Sequence, residues 1–239
     1  MTETKKEIPR RRNGFYYLDE NRIYPSVTTI LQILAKPALV SWAAKEAARA
    51  ALADPTLSEQ EAAGVIWSKR GKASDRGRAI HSFAEVYQQG GHVEIDQLPP
   101  EFQGYAKAFV SWIESFKPKI IHRETEIHSD QFCYAGTLDM ILEDMRGEKW
   151  LVDIKTSSDI YPEMGLQLVA YKMAVEEMKL AKIDKTAILL LGEDGAFKFC
   201  EVTGDFNAFL AAKTLFLWKD NDRVLASKPK KKNKKGDEE

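Results

Sequence analysis

The run from Trp150 to Ser157, Trp-Leu-Val-Asp-Ile-Lys-Thr-Ser, constrains this chain more than any other stretch. Leu151, Val152 and Ile154 make it apolar enough for a covered β-strand. Asp153 and Lys155 nevertheless lie inside it, two residues apart, and strand geometry points both to one face. A buried carboxylate and a buried ammonium cost free energy unless they pair or bind something. The fold must cover this strand and also supply partners for its charges.

The pattern around the run changes at Lys119. Before it the chain reads as mainly helical, after a short strand at Phe15–Leu18. Ser26 is an N-cap ahead of an apolar run, and Pro37 opens an alanine-rich segment with Leu39, Trp42 and Ala43 on one side. Ser58 and Glu61 have capping-box spacing. A separate helix is expected over 75–91, stopped by Gly90 and Gly91. Phe102, Tyr105, Ala106, Phe109, Trp112 and Ile113 recur at helical spacing between Pro99 and Phe116, which makes them core rather than a base-stacking platform. After Lys119 come strands over 120–129, 135–144 and 149–155, then a helix over 162–178. Strands over 185–192 and 196–202 and a helix over 205–226 follow. This order predicts an α/β (α+β) fold, a mixed central β-sheet flanked by helices.

Charge divides the chain further. Residues 1–12 and 228–239 are each +3, which leaves 13–227 at −7 in a chain of net charge −1. The expected organisation is a basic disordered arm at 1–13, a mainly helical region at 14–118, a sheet-and-helix core at 119–226 and a Lys-rich disordered tail at 227–239. The tail either solubilises or attracts phosphates in a salt-dependent way. No stretch approaches the roughly 20 apolar residues of a membrane span. The first residues lack the apolar core of a secretory signal, so a soluble intracellular protein is expected. Cys133 and Cys200 fit no metal spacing and are expected to be reduced and buried.

Asp139 lies in the strand before the opening run. If the two strands pair, Asp139 and Asp153 converge, and such carboxylates repel unless a cation or proton intervenes. Mg²⁺ suits oxygen ligands of this kind. The Lys155 ammonium can orient a water or stabilise charge building on a phosphate. These are parts for metal-dependent phosphodiester hydrolysis, although a lone Asp-x-Lys strand is in most proteins a solvated face. Gln167 and Tyr171 stand four residues apart and share one face of the following helix.

Taken together, Gly136-x-x-Asp139, Asp153-x-Lys155-Thr156 and Gln167-x-x-x-Tyr171 resemble the motif set of the PD-(D/E)XK nucleases, RecB-type branch. The resemblance runs over about residues 24–171 and is strongest to mitochondrial genome-maintenance and phage exonucleases. It implies a restriction-endonuclease-like core with a helical N-terminal region. It also implies that Asp139 and Asp153 bind Mg²⁺ or Mn²⁺, with the backbone carbonyl of Ile154 and with His81 from an upstream helix. Lys155 would be the catalytic lysine, and Gln167, Tyr171 and Thr156 would position it or the DNA strand. The family glutamate is Glu124 or Glu126; spacing favours Glu124, but both face one way. Glu85, one helical turn after His81, would share the pocket. The helical region would arch over the sheet edge and bring Arg76, Arg78, Lys69, Arg70 or Lys72 toward phosphates.

The chain departs from the family pattern at Leu138, where the family name has proline. It also lacks the four cysteines of the iron–sulfur subgroup, so no iron–sulfur cluster is expected. With no Walker motif, unwinding would need a helicase or recombination partner. The expected function is a metal-dependent DNA exonuclease on single-stranded DNA ends in replication, recombination or repair. A structure-specific endonuclease of the same fold and a non-catalytic nucleic-acid-binding protein are the alternatives.

Overall fold

The computed structural model describes residues 10–91 and 94–219. Strands β1 (Arg10–Arg12), β2 (Phe15–Tyr17) and β3 (Ile23–Pro25) form a small antiparallel sheet in that order. Helix α1 (Val27–Ile30) follows, capped by Ser26, whose Oγ accepts from the Thr29 amide at 3.1 Å. Then come α2 (Pro37–Ala53), α3 (Glu59–Gln88) and α4 (Pro100–Phe116). The remaining elements are β4 (Lys119–Ser129), β5 (Tyr134–Glu143), β6 (Lys149–Lys155), α5 (Pro162–Glu177), β7 (Lys185–Leu191), β8 (Phe197–Glu201) and α6 (Phe206–Lys219).

The large sheet has the order β4-β5-β6-β7-β8. Its neighbours are antiparallel except β6 and β7, which are parallel and joined through α5. A parallel pair needs such a crossover, because a hairpin turn cannot return the chain in the same direction. One sheet face packs Ile141, Leu151 and Ile188 against Leu168 and Val175 of α5 and Phe209 and Phe216 of α6. The other packs Met140, Val152, Ile154 and Leu189 against Ile80 and Phe83 of α3 and Phe109 and Trp112 of α4. Strand β6 is therefore covered on both sides, which is why consecutive residues in it are apolar. The expected mixed sheet flanked by helices is the observed fold.

Several local expectations need correction. The short strand expected near Phe15 is the middle strand of a three-stranded sheet. That sheet begins at Arg10, inside the segment read as a basic arm. The helix opened by the Ser58 capping box and the helix expected over 75–91 are one helix, α3, of 30 residues. From Trp67 to Asp75 every residue of α3 is exposed, so that stretch carries no apolar stripe to read. The cysteines are free but not buried: Cys133 is exposed and Cys200 half-buried. Cys133 occupies the β4–β5 turn at φ +51°, and Cys200 lies on the edge strand β8. Residues 1–9, the end of the last expected helix and the Lys-rich tail lie outside the described residues. Among the described residues no helix is long and apolar enough to cross a membrane.

Candidate metal centre

Pairing of β5 with β6 runs from Glu143–Lys149 to Met140–Val152. Just beyond, the two carboxylates anticipated by the sequence meet. Asp139 Oδ2 accepts a 2.6 Å hydrogen bond from the Ile154 amide, so a side chain takes up a strand N–H where ladder pairing has ended. Asp153, only 2% exposed, has both oxygens engaged. Its Oδ1 accepts from Gln167 Nε2 at 2.7 Å, and its Oδ2 is ion-paired with Lys155 Nζ. The partners that the opening run requires are thus each other and one residue of α5. Among the described residues Oδ2 has no partner besides Lys155.

Helix α3 completes the cluster. Ile80, Phe83 and Ala84 fix it against the sheet and α4, which turns His81 toward β4 and β5. His81 Nδ1 lies 3.3 Å from Asp139 Oδ1 and 3.7 Å from Glu124 Oε1. Ligand atoms of His81, Glu124 and Asp139 all fall within 4.8 Å of one another, a spacing that could hold a metal ion. Glu124 sits at φ +39° in mid-strand, after a register shift between Ile120 and His122. Positive φ at a non-glycine residue costs on the order of 1 kcal/mol or more, and such strain gathers at functional sites. Glu126 pairs with Thr137 across the ladder, where burial raises its carboxyl and Arg11 opposes the rise. Of the two candidate glutamates, Glu124 is the one beside His81.

The electrostatics follow from burial and neighbours. Burial pushes the Asp153 carboxyl up to about 6; Lys155 opposes this and the Asp139 charge adds to it. Burial acts upward on Asp139 too, but the charges of His81 and Lys155 and the Ile154 amide outweigh it and hold that carboxyl below its usual range. For His81 burial acts downward, yet Asp139 and Glu124 raise the imidazole to about 10. Burial would also depress Lys155, but Asp153 and Asp139 raise it. The side chains form a compact lattice of opposite charges, and a divalent cation could take the place of the His81 proton.

Tyr171 is 3% exposed and lies against β5. A Cβ at Gly136 would come within 2.4 Å of its ring, so only glycine lets that ring approach the strand. Burial, with the two aspartates next, pushes the Tyr171 hydroxyl well above the ordinary tyrosine value.

A cleft of about 540 Å³ gathers His81, Glu85, Glu124, Asp139, Asp153 and Lys155. Gln167, Tyr171 and Arg78 line it as well. Two expected residues lie elsewhere. Arg76 Nη2 donates to the Thr156 carbonyl at 2.9 Å and Nε to Thr156 Oγ1 at 3.3 Å, while its guanidinium covers the Tyr105 ring at 4.9 Å. Both residues line a second cleft of about 390 Å³. Lys69 is ion-paired with the buried Glu46 of α2. The basic residues of α3 therefore do not act as one group.

Part of the cleft wall comes from residues outside the sequence motifs. Arg11 and Tyr16 of the small N-terminal sheet, Ser26 and Thr28 at the start of α1, and Thr137 of β5 line it. Tyr16 shares a 2.8 Å hydrogen bond with Thr137. Thr137 was findable, since it precedes Asp139 by two and must share its face. Nothing in residues 11–28 signals their destination.

No family model matches the sequence, and no curated protein matches it. Among solved structures, SSO0001 is similar at TM-score 0.42 and 15% identity, over 84% of this chain and 77% of that one. A putative exonuclease from Eubacterium rectale is similar at TM-score 0.38 and 15% identity, over 66% of this chain and 69% of that one.

Proposed function

We propose that this chain is a divalent-metal-dependent DNA exonuclease that hydrolyses phosphodiester bonds at single-stranded ends. The observation that carries the reading is the meeting of His81, Glu124 and Asp139 within 4.8 Å in the cleft that also holds Lys155 and Asp153. Two carboxylates and an imidazole suit Mg²⁺ or Mn²⁺, and the nitrogen ligand favours Mn²⁺. Asp153 and the Ile154 carbonyl are the further ligands proposed. A divalent ion held there would polarise the scissile phosphate and lower the pKa of an attacking water.

The chain's own residues do the rest. Lys155 keeps its proton because two carboxylates face it, so it presents a fixed positive charge to the phosphate oxygens as charge builds on them. Asp153 holds that ammonium in place, and Gln167 holds Asp153. Gln167 is thus a positioning residue that acts through Asp153. Tyr171 fixes α5 against β5, and Thr156 anchors the end of β6 through Arg76.

The test is a panel of linear and circular, single- and double-stranded DNA with Mg²⁺ or Mn²⁺. Linear single strands should shorten from an end and circles should survive. The Asp153→Ala variant should be inactive while still folded. Full activity in that variant refutes the reading, and cleavage of circles makes the protein an endonuclease.

A further inference from the structure

The outward side of α3 is not needed for packing. Its inward side carries Ala62, Lys69, Arg76, Ile80 and Phe83. Lys69 contacts α2, Arg76 the Tyr105 ring of α4, and Ile80 and Phe83 the core. Rotated away from these, at steps of three and four residues, stand Trp67, Arg70, Ser74, Arg78 and His81. Residues at that spacing share one helix face. Contacts confirm the alignment: Arg70 lies over the Trp67 ring at 5.2 Å, and Arg78 Nη1 donates to Ser74 Oγ at 2.9 Å. Arg78 and His81 both line the metal cleft. The stripe therefore starts at the candidate centre and climbs α3 to Trp67, about 21 Å away at 1.5 Å per residue.

Trp67 is 68% exposed even with Arg70 over its ring. Residues 67–78 hold five Lys or Arg and one Asp, in a body whose net charge between residues 13 and 227 is −7. Exposed tryptophan seeks a flat apolar partner, and a basic surface beside it seeks phosphate. The other strongly exposed apolar residues of this helical hairpin, Val40 and Leu52, lie on α2 rather than on the stripe. Trp67 stands instead beside the Arg70 guanidinium, on the face that carries Ser74 and the Asp75-paired Arg78 further along, a surface that matches an aromatic base carried on a charged backbone better than an apolar protein face. Alternation of aromatic and cationic groups along a line is how single strands are held without sequence readout.

We infer that the outer stripe of α3 is a track for single-stranded nucleic acid, with Trp67 as its base-stacking platform and Arg70 and Arg78 as its phosphate contacts. This rests on the nuclease reading of the cleft, and names the path by which the substrate strand enters or leaves it. A duplex presents its bases edge-on and cannot stack on Trp67, so the track selects single strands.

The test uses the full chain in EDTA, with a fluorescein-labelled twenty-nucleotide oligothymidine followed by anisotropy. Trp67→Ala should weaken binding about five- to hundredfold, the range found when a stacking aromatic is removed. Trp67→Phe should restore most of the affinity. Arg70→Ala should lower the slope of affinity against salt. In Mn²⁺, Trp67→Ala should raise KM and leave kcat unchanged, because Trp67 is remote from the cleft. Wild-type affinity in folded Trp67→Ala overturns the track while the nuclease reading stands. A wild-type chain that neither binds nor cuts single strands overturns both. If wild type is a dimer by light scattering and Trp67→Ala a monomer, the stripe is a self-association surface and the inference fails.

Discussion

At the scale of single residues, the centre is held by side-chain charges that compensate one another. Asp153 has its carboxyl raised to about 6 from 3.8, chiefly by burial. A raised value means that the folded chain binds the proton more readily than the unfolded chain. Its contribution to stability is therefore present below pH 3.8 and lost as pH rises through about 6. His81, raised to about 10 from 6.5, contributes stability that is present below pH 6.5 and lost as pH rises through about 10. Asp139, held low, acts in the opposite sense but only in acid. In EDTA the melting temperature should thus fall as pH rises from 5 to 9, and His81→Gln should flatten the upper part of that fall. Scanning fluorimetry reads both, and an unchanged profile in the variant would dissociate His81 from the carboxylates. The two glutamates of β4 can be separated the same way. Glu124→Gln should weaken Mn²⁺ binding on the order of tenfold or more, and Glu126→Gln should leave it unchanged, as measured by calorimetry.

At the scale of elements, β6, α3 and α5 are locked together by side chains that cross between them. Arg76 grips the carbonyl of Thr156, the residue after Lys155. Arg76→Ala should free the end of β6 and lower kcat about ten- to a hundredfold with little change in KM, since small misplacements of a catalytic group cost that much. Arg78→Ala should instead raise KM, and steady-state kinetics distinguish the two. Gly136→Ala should destabilise the fold by about 1–3 kcal/mol, because the new methyl meets the Tyr171 ring. Gly64→Ala in α3 meets nothing within 4 Å and should stabilise by about 0.5–1 kcal/mol. Urea melts measure both.

This contrast also marks what could be read from the sequence. Asp139, Asp153, Lys155, Gln167 and Tyr171 were legible because each lies in a regular element whose period fixes its face. Glu124 was not separable from Glu126 by period alone; the strained backbone at Glu124 and the placement of His81 distinguish them. The continuity of α3 was hidden because its exposed middle has no buried face. Three-residue strands such as β1 carry too few positions to show alternation, so the wall that delivers Tyr16 was illegible.

At the scale of the whole molecule, a mixed sheet brings carboxylates from β4, β5 and β6 to one cleft. A helix from the other half of the chain adds the imidazole. The same helix then continues outward as an exposed arm, so one element links the centre to the surrounding solvent. The central claim is that His81, Glu124 and Asp139 form a divalent-ion site beside Lys155. The most direct measurement is Mn²⁺ binding by calorimetry to wild type and to Asp139→Asn, with cleavage of end-labelled single-stranded DNA followed on the same samples. One tight site and metal-dependent shortening in wild type, both lost in the variant, are the predicted result. Cleavage that persists in EDTA, or Mn²⁺ binding and activity that survive in Asp139→Asn, would contradict it.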